Sequence, residues 1–365
     1  MNEPFTIQDQ AFMRRCFELA RLGIGRVSPN PAVGAVLVYQ GRIIGEGYHA
    51  YYGGPHAEVM AVNSVAVADQ PLISQSTLYV SLEPCCIYGK TPPCTSLILA
   101  HRIPRVVISQ LDHTPAVYGQ GVQLLRDAGI AVKCGLLPAE GLALSLPRQV
   151  FAAFNRPYVL LKYARSLDGF MAPVHNTPYW LTNGYTRRLT HRWRTQTDAI
   201  LIGAGTAMAD NPSLTSRYYP GRSPLRIVLE RHQLLPAHLA VFDQQAPTWL
   251  FTNQHAANRN LPAHVRVSAV DYTPEQWLLR LLQQLASEKI GHLTVEGGAT
   301  VLRAFIDAGL WDEARILTAP VQLGDGLPAP SPALAPQSTI WMADDRADTF
   351  FNPATLAAFA MPPDC

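Results

Sequence analysis

The sequence has no excess of basic charge, no long apolar run and few cysteines. Lysine plus arginine number 29 against 27 for aspartate plus glutamate. That balance lacks the basic stripe of a polyanion-binding surface, so no nucleic-acid partner is expected. No stretch of about 18 apolar residues occurs, so no membrane-spanning helix and no membrane partner are expected. The opening MNEPFTIQDQAFMRR has no apolar core followed by a small-residue cleavage site, which predicts no secretory leader. Six cysteines in 365 residues make no disulfide framework. Cys16, Cys134 and Cys365 are isolated, and the first two read as small buried hydrophobes. A cytoplasmic chain with reduced thiols is expected. What is present is apolar residue, 48% against 15% charged, enough for two domains with separate cores.

The first half alternates helix and strand. Phe12, Cys16, Leu19 and Leu22 share one helical face, AVGAVLVY (32–39) is a buried strand, and the segment to GEGYH completes a hairpin. HAEVMAVNSVA from His56 reads as a helix with Pro55 at its mouth, TLYVSL (77–82) as a strand, and CTSLILAHR from Cys94 as a helix. RVVIS (105–109), a helix over 119–129 and IAVKC follow. Alternation of this kind predicts an α/β sheet covered on both faces. LPRQVFAAFNRP (146–157) reads as a hinge, which sets domains at 1–146 and 147–365. The second half predicts strands at 158–164, 199–203, 225–230, 247–252, 265–270, 292–296 and 314–319, and helices near 183–195, 274–288 and 299–309. GLPAPSPALAP (326–336) is too proline-rich for a regular element and reads as a surface loop.

Three short stretches carry chemistry: PHAE (55–58), EPC (83–85) and PPC (92–94). One histidine, His56, and two cysteines, Cys85 and Cys94, make a mixed nitrogen and sulfur donor set that suits zinc. Helix starts favour the thiolates a metal needs. Three protein ligands leave a fourth position for a water that loses its proton near neutral pH. Glu58, two residues after His56, is placed to carry protons. Cys86 is the alternative fourth ligand of a closed, structural site. Adjacent side chains diverge, however, and a closed site leaves Glu58 without a role. In the second half, GAGT (203–206) and VEGG (295–298) each place glycines after a strand, where backbone can approach a phosphate. Tight helix packing explains those glycines equally well.

Histidine, a glutamate two residues on and two cysteines after prolines are the signature of the zinc nucleobase deaminases. The eight residues between Cys85 and Cys94, with SPNPAVGAVLV (28–38), GEGYH (45–49) and GGPHAEV (53–59), resemble the pyrimidine deaminase domain of riboflavin biosynthesis. LKYARSLDG (161–169), DAILIGAGTAMADNPSLTSR (198–217) and VEGGATVLRAFIDAGLWDE (295–313) resemble its reductase domain. The resemblance, from about residue 10 to about 326, is to the bifunctional deaminase/reductases. It implies a cytidine-deaminase-like three-layer α/β/α domain followed by a dihydrofolate-reductase-like α/β domain. It further implies Zn²⁺ and NADPH as cofactors and a ribosylaminopyrimidine 5′-phosphate as substrate. An enzyme of this kind is expected to be a homo-oligomer.

By the same resemblance Asn30, His49, Lys90, Asp112, Arg187 and Arg217 contact substrate. Gly203, Gly205, Thr206, Asp210, Glu296, Gly297 and Gly298 are the matching cofactor positions. No arginine for the 2′-phosphate of NADPH is legible. Five positions depart from the family pattern. Cys86 and Ile87 replace a serine and histidine, Thr114 an asparagine, Phe170 the lysine after SLDG, and Glu230 an aspartate. Ile87 and Phe170 are expected to remove polar contacts to substrate, one in each half. The competing readings are a deaminase with an inactive reductase half, a deaminase of nucleic-acid bases, and a zinc-braced homologue without activity.

Overall fold

The structure is a computed structural model, and it describes residues 4–89, 91–174, 179–232, 235–253, 261–272 and 275–362. The chain divides into two compact units, one running to Asn155 and including the segment from Ala357, the other Arg156–Leu356.

In the first unit, α1 (Ile7–Arg21) is followed by β1 (Gly34–Tyr39), β2 (Arg42–Tyr48), α2 (Ala57–Asn63), β3 (Thr77–Leu82), α3 (Cys94–Ala100), β4 (Arg105–Gln110), α4 (Gln120–Asp127), β5 (Ala131–Cys134) and α5 (Pro138–Phe154). The sheet order is β2-β1-β3-β4-β5. β1 runs antiparallel to both neighbours, whereas β3, β4 and β5 are parallel. Strand alternation divides the core. Val36, Val38, Tyr79 and Val107 pack with Met13, Cys16 and Phe17 of α1. Ala35, Leu37, Val80 and Ile108 pack on the other side with Ala57, Ala61, Ile98, Val122 and Leu125 of α2, α3 and α4. The result is the expected three-layer α/β/α arrangement. Gly45 and Gly47 let α2 lie directly on β2, because a Cβ at either would come within 2.4 Å of the Ala61 backbone.

The expected hinge is not a hinge. Residues 146–154 continue α5, with Pro147 inside the helix. Leu146 and Val150 are fully buried, and the Gln149 amide donates to the Leu111 carbonyl at 2.7 Å while its oxygen accepts from the His113 N–H at 2.7 Å. These contacts outweigh the local cost of proline. The break between units therefore falls nine residues beyond the expected 146/147, and the tail from Ala357 returns to the first unit.

The second unit contains β6 (Tyr158–Arg165), β7 (Phe170–Ala172), α6 (Gly184–Gln196), β8 (Ala199–Gly203), α7 (Ala204–Asp210), β9 (Leu225–Glu230), β10 (Thr248–Thr252), β11 (Val265–Ala269), α8 (Trp277–Ser287), β12 (His292–Gly297), α9 (Ala299–Asp307), β13 (Glu313–Thr318), β14 (Leu327–Pro328), β15 (Ser338–Met342), β16 (Asp345–Phe351) and α10 (Pro353–Ala358). Among the described residues, nine strands form one sheet in the order β11-β10-β9-β8-β12-β6-β13-β16-β15. The strands from β11 to β13 are parallel, and β16 and β15 add an antiparallel edge. Leu161, Leu201 and Val295 pack under α8 and α9, and Ile200, Ile202 and Val228 fill the opposite face. The proline-rich 326–336 stretch is irregular apart from β14, which pairs with β7. Among the described residues no helix is long and apolar enough to cross a membrane.

Candidate active sites

In the first unit, His56 caps α2, Cys85 follows the end of β3, and Cys94 opens α3. Their ligand atoms all lie within 4.8 Å of one another. His56 Nδ1 is 3.2 Å from Cys94 Sγ and 3.5 Å from Cys85 Sγ. Tetrahedral zinc with ordinary bond lengths places nitrogen and sulfur ligands about 3.6 Å apart, so the donor set and its spacing fit the ion. The Cys94 N–H donates to Cys85 Sγ at 3.3 Å. The contact between the two thiols draws the Cys85 thiol down, helped against burial by His56, and pushes the Cys94 thiol up. A ready thiolate is what a metal requires. His56 Nε2 is 3.4 Å from the Thr91 hydroxyl, which orients the ring. Cys86 is not part of this cluster, and its thiol instead approaches the Ala116 carbonyl at 3.7 Å.

A cavity of about 230 Å³ opens onto the cluster and is lined by Asn30, His49, Glu58 and Asp112 among others. Burial pushes the Glu58 carboxyl up, and the neighbouring Cys85 adds to this. His49 Nδ1 lies 2.9 Å from the Pro55 carbonyl, which can only accept, so Nδ1 carries the proton and Nε2 accepts from Asn30 Nδ2 at 3.1 Å. Burial lowers the His49 pKa and keeps the ring neutral. Lys90, the remaining expected contact of this half, lies outside the described residues.

Two wall residues were not legible beforehand. Glu83 is buried and accepts the N–H groups of Asp112, Gly119 and Val122 at 3.2, 3.0 and 3.2 Å, tying the 112–122 loop to the end of β3. Arg148, from the segment read as a hinge, donates to Thr114 Oγ1 at 2.9 Å, and the Thr114 hydroxyl in turn donates a hydrogen bond to Asp112 Oδ1 at 2.6 Å. Arg148 is the one lysine or arginine among the described lining residues.

In the second unit, Arg187 and Arg217 line one cavity of about 340 Å³, with Asp210 and Glu296. Arg187 lies over Trp180 with its guanidinium 4.2 Å from the ring centroid, and its buried Nε has no partner among the described residues. Gly203, Gly205, Thr206, Asp210, Glu296 and Gly298 line a second cleft of about 670 Å³. Gly297, between two of these, has φ 127°, a conformation that favours glycine.

The cleft has the open backbone a dinucleotide needs. Nothing approaches a Cβ built at Gly205, whereas a Cβ at Gly298 would sit 2.9 Å from Thr206 Oγ1. Asn211 caps the C-terminus of α7 with φ 40°, and Asp210, the last residue of that helix, lines both cavities. Sequence reasoning missed the partners of Glu296. Its carboxylate takes a bidentate pair from Arg194 at 3.0 and 2.7 Å, with Lys162 also lining the cavity. Phe170 lines neither cavity, though its neighbour Met171 lines both.

Comparison with known proteins matches both halves. Residues 6–110 match the cytidine and deoxycytidylate deaminase zinc-binding region, and residues 157–342 the RibD C-terminal domain. The riboflavin biosynthesis protein RibD of Bacillus amyloliquefaciens is 40% identical over 331 residues, 88% of this chain and 87% of that protein. The Escherichia coli protein of the same name is 37% identical over 333 residues, 87% and 89% respectively. The crystal structure of a diaminohydroxyphosphoribosylaminopyrimidine deaminase/5-amino-6-(5-phosphoribosylamino)uracil reductase from Thermotoga maritima superposes with a TM-score of 0.85 at 36% identity, covering 94% of this chain and 99% of that one. Acinetobacter baumannii RibD gives 0.80 at 31% identity over 94% and 98%. On this extent of identity and coverage, running through both halves, the chain belongs to the riboflavin biosynthesis RibD family.

Proposed function

We propose that this chain catalyses two successive steps of riboflavin biosynthesis, on the substrates after which its Thermotoga relative is named. The first unit deaminates the diaminopyrimidine, and the second reduces the ribosyl group of the product. His56, Cys85 and Cys94 would hold zinc, which when bound would supply Lewis-acid activation of a water nucleophile. Glu58 would carry protons from water to the departing nitrogen, so that a C–O bond forms, a C–N bond breaks and ammonia leaves. Asn30 and the neutral His49 orient the pyrimidine, with Asp112 held by Thr114. In the reductase cavity Arg187 and Arg217 seat the 5′-phosphate, and the cleft lined by Gly203, Gly205, Thr206, Asp210, Glu296 and Gly298, with Gly297 at its turn, takes NADPH, which supplies the hydride.

The observation that carries this reading is the convergence of one ring nitrogen, two sulfurs and a buried carboxyl on one cavity. A cytoplasmic location and assembly into a homo-oligomer accord with it. The test is ammonia release from the diaminopyrimidine phosphate followed by NADPH oxidation. Glu58→Gln should lower ammonia release by about 10²- to 10⁴-fold with zinc retained. Undiminished release would remove Glu58 from the chemistry, whereas a wild-type chain that retains zinc and releases no ammonia would leave only a metal-braced homologue.

A further inference from the structure

The cofactor cleft contains a cation outside the contacts assigned so far. β9 ends at Glu230, and the two residues after it, Arg231 and His232, are exposed and line the cleft. This is the carboxyl end of a parallel strand, where open α/β sheets receive nucleotides. Tyr272 and Trp277 line the same cleft, with ring centroids 5.0 Å apart. The Tyr272 hydroxyl donates to the Phe251 carbonyl at 2.9 Å, which fixes one face of this aromatic wall. Burial pushes that hydroxyl up, and the charge of the nearby Arg231 acts against it. The wall suits a purine ring, and the arginine beside it suits an anion attached to that purine's ribose.

The strand-end residues also distinguish the two nicotinamide cofactors. Sites for the unphosphorylated dinucleotide place a free carboxylate on the ribose 2′-hydroxyl, and sites for the phosphorylated one place an arginine there. Glu230 is fully buried, and its Oε1 accepts the Leu235 N–H at 2.5 Å. Arg231 has no carboxylate partner among the described residues. A carboxylate turned into the fold and a guanidinium left open are the pattern of the phosphorylated cofactor.

We propose that Arg231, with His232 beside it, binds the 2′-phosphate of NADPH and is the residue that selects NADPH over NADH. This rests on the reductase reading above and supplies the arginine that the sequence did not reveal.

Binding, not turnover, tests it. NADP⁺ and NAD⁺ are titrated calorimetrically into the full-length protein and into Arg231→Ala and Arg231→Lys. A charge-assisted contact of this kind predicts that R231A weakens NADP⁺ by about 10- to 100-fold. NAD⁺ should change less than about twofold, because no 2′-phosphate contact is lost. R231K should keep part of the preference, having charge without the fork. Equal weakening of both dinucleotides in R231A, or no change in their ratio, overturns the assignment. A wild-type chain that binds both equally also overturns it and leaves the reductase reading standing. A wild-type chain that binds neither removes both.

Discussion

The ion pair at the junction of the two reductase cavities is open to a quantitative test. Glu296 and Arg194 are each nearly buried, with side chains 10% and 12% exposed. Burial alone would push the Glu296 carboxyl up, but Arg194 and Lys162, with a smaller contribution from His191, draw it from 4.5 down to about 2. That displacement corresponds to about 3 kcal/mol of folding stability at neutral pH. Removing one partner of a buried pair independently costs about 3–5 kcal/mol. Glu296→Gln leaves Arg194 and Lys162 facing an amide and should lose an amount in this range. The pH dependence follows from the sign. A carboxylate with a depressed pKa contributes fully above 4.5, and the contribution is lost as the pH falls through 2. The gap between wild type and E296Q should therefore shrink from about 3 kcal/mol at pH 7 to about 1 kcal/mol at pH 3. All six tryptophans fall within Arg156–Leu356, so tryptophan fluorescence during urea unfolding reports on this unit alone. A gap below about 1 kcal/mol at pH 7, or one that does not narrow on acidification, would show that the pair is solvent-screened and the argument wrong.

Two further outcomes follow from the first unit. Zinc content, measured by elemental analysis of purified protein, should collapse in Cys85→Ala and Cys94→Ala and survive in Cys86→Ala, whose thiol lies outside the cluster. Loss in all three would indicate a closed four-ligand site. Phe359 is 1% exposed, its carbonyl accepts from Gln110 Nε2 at 3.2 Å, and its ring lies 5.1 Å from that of His113. Phe359→Ala should cost the first unit about 3–5 kcal/mol, read by circular dichroism, while the tryptophan-detected transition stays put.

The parts that were legible in sequence share one physical property: they state their environment locally. A parallel strand buried on both faces must be a continuous apolar run. AILIG at β8 and RIVLE within β9 are therefore recognisable without knowledge of what covers them. The cluster of His56, Cys85 and Cys94 was legible because each member is marked by its neighbours, a proline or a helix start. The tail was not. β15 is exposed along most of its length, with Ile340 and Trp341 at 48% and 66%, so no alternation of apolar and polar residues announces a strand. α5 was hidden by Pro147 and by the polar Arg148 and Gln149, whose places depend on Leu111, His113 and Thr114, more than 30 residues earlier. Lys162 and Arg194 were missed for the same reason, because their significance is their meeting with Glu296.

Placement in the fold also changes what the departures from the family pattern mean. Ile87 lines the deaminase cavity, so an apolar surface does replace a polar one there. Phe170 is different. It lies on β7 opposite Pro328 and lines neither described reductase cavity, whereas Met171, pointing the other way along the strand, lines both. The cations of the cavity of about 340 Å³, Lys162, Arg187, Arg194 and Arg217, come from β6, α6 and the segment before β9, and the loss of a lysine at 170 leaves them in place. Phe170→Lys should therefore change the kcat/KM of NADPH oxidation by less than about twofold. A gain of about tenfold or more would mean that position 170 reaches the substrate after all, and that the cavity walls rearrange when substrate binds.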